Sequence, residues 1–88
     1  DPSLAPSSMM FYTGDMFPQW KGNLFLTGLS SAHMSRLVLV GDNVAGEERL
    51  LDEPGHRLRH VSQGADGAIY VLQDMPMRKI LKISAPEE

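Results

Sequence analysis

Apolar residues fall along this chain in short runs, each closed by residues that favour turns. Met9-Met10-Phe11-Tyr12 runs into Thr13-Gly14-Asp15, and Asn23 to Leu29 is apolar enough to be covered on both faces. Met34 to Val40 is followed by Gly41-Asp42-Asn43, residues that tolerate the positive φ of a tight hairpin, and Val44 to Leu51 returns as a polar run. The pattern then restarts, with Arg57 to Val61, the turn Gly64-Ala65-Asp66-Gly67, the apolar run Ala68 to Leu72, and Arg78 to Ser84. No helical i, i+3, i+4 stripe persists for three turns. The pattern predicts an all-β chain with strands near residues 8–12, 23–29, 33–40, 44–51, 57–62, 68–73 and 78–84.

Four strands followed by three suit a β-propeller, whose blades are four-stranded antiparallel sheets. Residues 1–52 would form one blade, and residues 53–88 three strands of a closing blade that takes its fourth from the far end of a longer chain. The expected fold class is thus about one and three-quarter blades at the C-terminal end of a propeller. A seven-stranded sandwich or open barrel fits the same pattern equally well.

Composition narrows the classes. Eight Lys and Arg against eleven Asp and Glu leave a net charge of −3, with no basic stripe for nucleic acid. No apolar run is long enough for a membrane-spanning helix, and no charged segment leads into an apolar leader. The first residues, Asp1-Pro2, suggest a processed or excised end. The absence of cysteine excludes disulfides and thiolate zinc sites. There is no dinucleotide or phosphate loop, no nucleophile elbow, and no serine with an evident base.

Arg57-Leu58-Arg59 carries the sharpest local chemistry. On a strand, alternate side chains share a face, so two guanidiniums would point together and offer paired donors to a carboxylate or phosphate. The plainer alternative is a solvated face or an ion pair to Glu47, Glu48 or Asp74. Asp74, at the end of its strand, suits capping of the next loop or acceptance from an arginine. His56 and His60 have the spacing to share the Leu58 face, yet no third ligand completes a metal site. Trp20 could stack on a sugar, but plugging the space between sheets is the better use of so large an apolar ring.

The ordered blocks Ser3-Leu4-Ala5-Pro6-Ser7-Ser8-Met9, Phe11-Tyr12-Thr13-Gly14, Phe17-Pro18-Gln19-Trp20-Lys21-Gly22-Asn23-Leu24-Phe25, Glu47-Glu48-Arg49-Leu50-Leu51, Arg57-Leu58-Arg59 and Gly64 to Leu72 resemble the C-terminal part of the soluble glucose and aldose sugar dehydrogenases that use pyrroloquinoline quinone. The resemblance covers nearly the whole chain. It implies a six-bladed propeller several times longer, periplasmic or secreted, that oxidises the anomeric carbon of an aldose to a lactone. It implies that Arg57 and Arg59 contact the quinone carboxylates, with Asp74 as the acid at the end of the next strand. Three positions depart from the family pattern. Ser30-Ser31 stand where glucose-specific members carry a lysine, His60 stands where an acid usually follows the second arginine, and the loop after Asp74 is short.

The resemblance also implies that the histidine base and the calcium ligands lie upstream of this chain. The expected role is therefore part of the quinone-binding wall of a sugar dehydrogenase, inactive alone and without bound quinone. The alternative is a non-catalytic propeller relict with a structural or partner-binding role. Cut from its neighbours, the segment would expose apolar faces, including Phe25, Leu39, Ile69 and Val71, and the Arg78 to Ser84 edge, and would self-associate.

Overall fold

The computed structural model describes residues 6–28, 33–52 and 55–86. Seven strands run in order: β1 (Pro6–Phe11), β2 (Leu24–Gly28), β3 (Met34–Val40), β4 (Asn43–Leu50), β5 (Arg57–Gln63), β6 (Ile69–Met75) and β7 (Lys79–Ile83). They form an antiparallel sheet of order β1-β2-β3-β4 and a second of order β5-β6-β7. One turn of 3-10 helix, Pro18–Trp20, is the only helical element among the described residues. Each expected strand is present, with ends shifted by a residue or two.

The turns explain the hairpins. Gly41 (φ +62°) is the first residue of a two-residue loop between Val40 and Asn43, the conformation of a type II′ turn, whose twist matches that of the strands. Between β5 and β6 the loop closes on backbone bonds, Gly64 N–H to Ala68 C=O at 2.9 Å and Gly67 N–H to Gly64 C=O at 3.0 Å. Gly67 there has φ +88°, and a Cβ would lie 3.1 Å from the Met16 nitrogen.

The core lies between the two sheets, where β1 and β2 pack against β5. Tyr12, Phe17, Phe25, Met34, Leu58, Val61, Ile69 and Val71 are buried there. Burying a side chain the size of Phe25 is worth about 3–5 kcal/mol against alanine. Trp20 leans on this cluster, with its ring centroid 4.6 Å from that of Phe17 and 5.5 Å from that of Phe25. It plugs the edge of the core, and the Arg36 guanidinium lies over its outer side.

Three expectations need correction. Phe25, Ile69 and Val71 are fully buried between this chain's own sheets and are not exposed by the lack of a neighbour. Among the described residues, the large apolar side chains left exposed are Met9, Phe11, Val40, Val44, Met75, Met77 and Ile80. The run around β2 is buried on one face only: Phe25 and Thr27 point inward, whereas Leu24 and Leu26, which share the outer face with Met9 and Phe11, stay half-buried. His60 does not share the Leu58 face. Leu58 and Val61 are both buried while Arg59 and His60 between them are exposed, because the ladder shifts register between Leu58 and His60. A bulge of this kind reverses the alternation beyond it.

Candidate functional site: an arginine pair on a doubly bulged hairpin

Arg57, Arg59 and Asp74 come together where β5 begins and β6 ends. The ladder there pairs Arg57 with Met75, Leu58 with Gln73, and His60 with Leu72. Asp74 is therefore an extra residue on β6 and Arg59 an extra residue on β5, two bulges flanking the single Leu58–Gln73 pair. Bulges re-aim side chains, and here both guanidiniums converge on one carboxylate.

Arg57 binds Asp74 in bidentate fashion: Nε donates to Oδ1 at 2.8 Å and Nη2 to Oδ2 at 3.0 Å. Arg59 Nη1 donates to the same Oδ2 at 3.2 Å. The Asp74 side chain is only 10% exposed, whereas those of Arg57 and Arg59 are 44% and 55% exposed. The hydrogen bonds from Arg57 hold the Asp74 carboxyl below the usual carboxylate range against the opposing effect of burial, and Arg59 adds to the shift. The same bonds to Asp74 push the Arg57 guanidinium up. Two half-exposed guanidiniums thus share one carboxylate on a rim open to solvent.

Behind the rim sits a polar contact that the strand pattern did not single out. Gln73 is 2% exposed and points inward with Ile69 and Val71. Its Nε2 donates to the Met77 carbonyl at 3.1 Å, and its Oε1 lies 2.9 Å from His56 Nδ1. The signal was legible: in the alternation Ile69, Val71, Gln73, an amide occupies a position the pattern marks as core, and a buried amide needs partners.

The histidines serve separate ends. His60 Nδ1 lies 3.0 Å from Ser8 Oγ, which also accepts from Val61 N–H at 3.2 Å, so this pair ties β1 to β5. Among the described residues, no three His, Asp or Glu side chains are grouped so as to hold a metal ion. A groove of about 200 Å³ on the outer face of β5-β6-β7 is lined by His60, Ser62, Tyr70, Val71, Leu72 and Ile80 and is almost wholly apolar. Ser30 and Ser31, the positions of one departure from the family pattern, lie outside the described residues.

Comparison with known proteins places this geometry. The family model described as Glucose / Sorbosone dehydrogenase matches residues 1–82. The chain is 40% identical over 82 residues to the aldose sugar dehydrogenase YliI of Escherichia coli (strain K12), covering 93% of this chain and 22% of that protein. A solved glucose dehydrogenase superposes with a TM-score of 0.81 at 43% identity, over 98% of this chain and 24% of its own. The soluble aldose sugar dehydrogenase from Escherichia coli in its apo-form gives 0.75 at 39% identity, over 89% of this chain and 22% of its own. The chain thus spans about a quarter or less of the proteins it matches. With these neighbours, the four- and three-stranded sheets are a segment of a β-propeller and not a closed seven-stranded sandwich.

Proposed function

Because the chain belongs to the glucose/sorbosone dehydrogenase family, we propose that it forms part of the cofactor wall of a quinoprotein that oxidises aldose sugars to lactones. The observation that carries this reading is the shared face of Arg57 and Arg59, whose side chains stay half-exposed beyond the one carboxylate they both contact; the ion pair to Asp74 alone is the plainer outcome. A planar cofactor bearing several carboxylates calls for paired guanidinium donors fixed in direction. The half-exposed pair supports that fit, and the nearly buried Asp74 holds both guanidiniums in place.

In this reading Arg57 and Arg59 hold the carboxylates of pyrroloquinoline quinone, and Asp74 orients the two arginines. When bound, the quinone supplies the two-electron acceptor for oxidation of the anomeric carbon. The general base and the calcium ligands belong to other parts of the protein, so the 88-residue chain contributes binding and orientation and is inactive alone. The active protein is periplasmic or secreted.

The test is quinone titration of the full-length protein, followed by cofactor absorbance and by sugar oxidation with an artificial acceptor. Arg57→Ala and Arg59→Ala should each weaken quinone binding by roughly tenfold or more, the loss of one charge-assisted hydrogen-bond donor set. The 88-residue chain should give no turnover above the quinone blank. Unchanged quinone affinity in both arginine variants would refute the reading, and would favour a propeller segment with a structural or partner-binding role.

A further inference from the structure

We infer that Gln73 is the positioning residue for the arginine pair, a buried amide that holds together the two stretches of backbone presenting Arg57 and Asp74. The inference rests on the reading of Arg57 and Arg59 as the carboxylate-holding residues, and it assigns a role to a side chain that touches neither.

The argument starts from the ladder. Leu58–Gln73 is the one backbone pair left between the bulges at Arg59 and Asp74. A bulge leaves its extra residue unpaired and loosens the strand locally. Two bulges in succession would let the ends of β5 and β6 splay apart, and the guanidinium–carboxylate geometry with them. Gln73 supplies what the ladder lacks. Its side chain reaches back to His56, the residue before Arg57, and forward to the carbonyl of Met77, in the loop after Asp74. Both bonds are made by a group only 2% exposed, where the alternative to each bond is an unsatisfied polar atom.

The bond pattern also fixes the orientation of the amide and a proton on the imidazole. Met77 offers a carbonyl, which can only accept, so the Gln73 atom facing it must be the NH₂ group. Oε1 then faces His56, and His56 Nδ1 must carry the proton and donate. The clamp therefore runs in one direction: His56 Nδ1–H to Gln73 Oε1, then Gln73 Nε2–H to Met77 C=O.

The test separates positioning from simple stability. In the ¹⁵N-labelled 88-residue chain, the Arg57 Nε–H proton that donates to Asp74 reports the triad directly. Gln73→Leu keeps an apolar side chain of similar size and removes both bonds. It should speed Arg57 Nε–H exchange with water by about tenfold, roughly the loss of two net hydrogen bonds, while the amides of Val61 and Val71 exchange as in the parent chain. His56→Phe, at a half-buried position outside the strand core, removes the imidazole bond to Gln73 and leaves the Gln73 bond to the Met77 carbonyl. It should give a smaller acceleration, and it serves if Gln73→Leu does not fold. In the full-length protein, Gln73→Leu should raise the quinone Kd and leave kcat at saturating quinone unchanged. Arg57 Nε–H exchange unchanged in both variants would overturn the inference. No effect of Arg57→Ala on quinone affinity would instead overturn the cofactor reading, and the two failures are read from different variants.

Discussion

The two ends of the β5–β6 hairpin are built on opposite principles. At the turn end, backbone bonds to backbone, Gly64 N–H to Ala68 C=O and Gly67 N–H to Gly64 C=O, and one side chain adds to it, Asp66 Oδ1 accepting from Ala68 N–H at 3.0 Å. Tyr12 from the other sheet caps this end. Its hydroxyl donates to the Gly67 carbonyl at 2.6 Å and accepts from Phe17 N–H at 3.2 Å, fully buried. At the open end the ladder breaks twice, and side chains take over from the backbone. The difference separates stability from chemistry. The turn end joins the two sheets and leaves no freedom, whereas the open end spends regular pairing on holding two charged side chains at the surface.

The largest expected effect lies at the turn end. Tyr12→Ala should cost about 3–5 kcal/mol, the range for removing a buried aromatic ring. Tyr12→Phe keeps the ring and should still cost about 1–3 kcal/mol, because the Gly67 carbonyl and the Phe17 amide each lose a buried partner. Gly14→Ala should also destabilise, since its Cβ would meet the Tyr12 hydroxyl at 2.7 Å and the Gly67 Cα at 2.9 Å. Chemical denaturation decides. A Tyr12→Phe midpoint equal to that of the parent chain would remove the claim that this contact joins the sheets.

The third strand of the same sheet gives the next prediction. Among the described residues β7 pairs only with β6, and Ile80, on its outer face, is 70% exposed. Met9 and Phe11 are exposed on the outer face of the other sheet. A free edge and exposed apolar side chains favour association. The 88-residue chain should therefore form a concentration-dependent dimer, limited from open growth by Arg78, Lys79 and Lys82. Light scattering across a dilution series checks it, and a monomer at every concentration would contradict it.

How much of this was legible in the sequence differs between the two ends. Gly64-Ala65-Asp66-Gly67 announces its turn, and the alternation Ile69, Val71 places the core face. Alternation alone puts Arg57 and Arg59 on one face, whereas Asp74 is legible only as one of several acids able to pair with them or through the family resemblance. The bulges are not legible, since an inserted residue leaves no mark on local composition; only the partner strand reveals it. This is why the spacing alone puts His60 on the Leu58 face. The interleaving of the two sheets was also beyond a strand pattern, which gives the period of a face and not what covers it. Phe25, Ile69 and Val71 thus read as apolar positions without showing that this chain itself buries them.

A smaller effect belongs to the open end. Arg57→Ala and Asp74→Asn should move the denaturation midpoint far less than Tyr12→Phe, because the guanidinium side of the pair is half-exposed and ion pairs screened by solvent contribute little to stability. A shift as large as that of Tyr12→Phe would mean that the triad is part of the fold's support, and the contrast between the two ends would fail.

The smallest effect sharpens the contrast by pH. Asp74 has its carboxyl lowered in the folded chain, first by the hydrogen bonds from Arg57. A depressed folded pKa means that ionised Asp74 favours the folded state. That contribution is fully present above the unfolded value, about 3.9 for Asp, and is lost as the pH falls through the folded value. Near neutral pH it should be constant. Below about pH 4 it should fade, and the two arginines should lose their shared acceptor before the sheets separate, since the Tyr12 contact to Gly67 does not involve a carboxylate. A ¹³C carboxyl titration of Asp74 should give a midpoint below the ordinary aspartate value, and Arg57→Ala should return it toward that value. If Asp74 titrates at the ordinary value in the parent chain, the bidentate pair is not maintained in solution, and the arginines are not held in the geometry that the site requires.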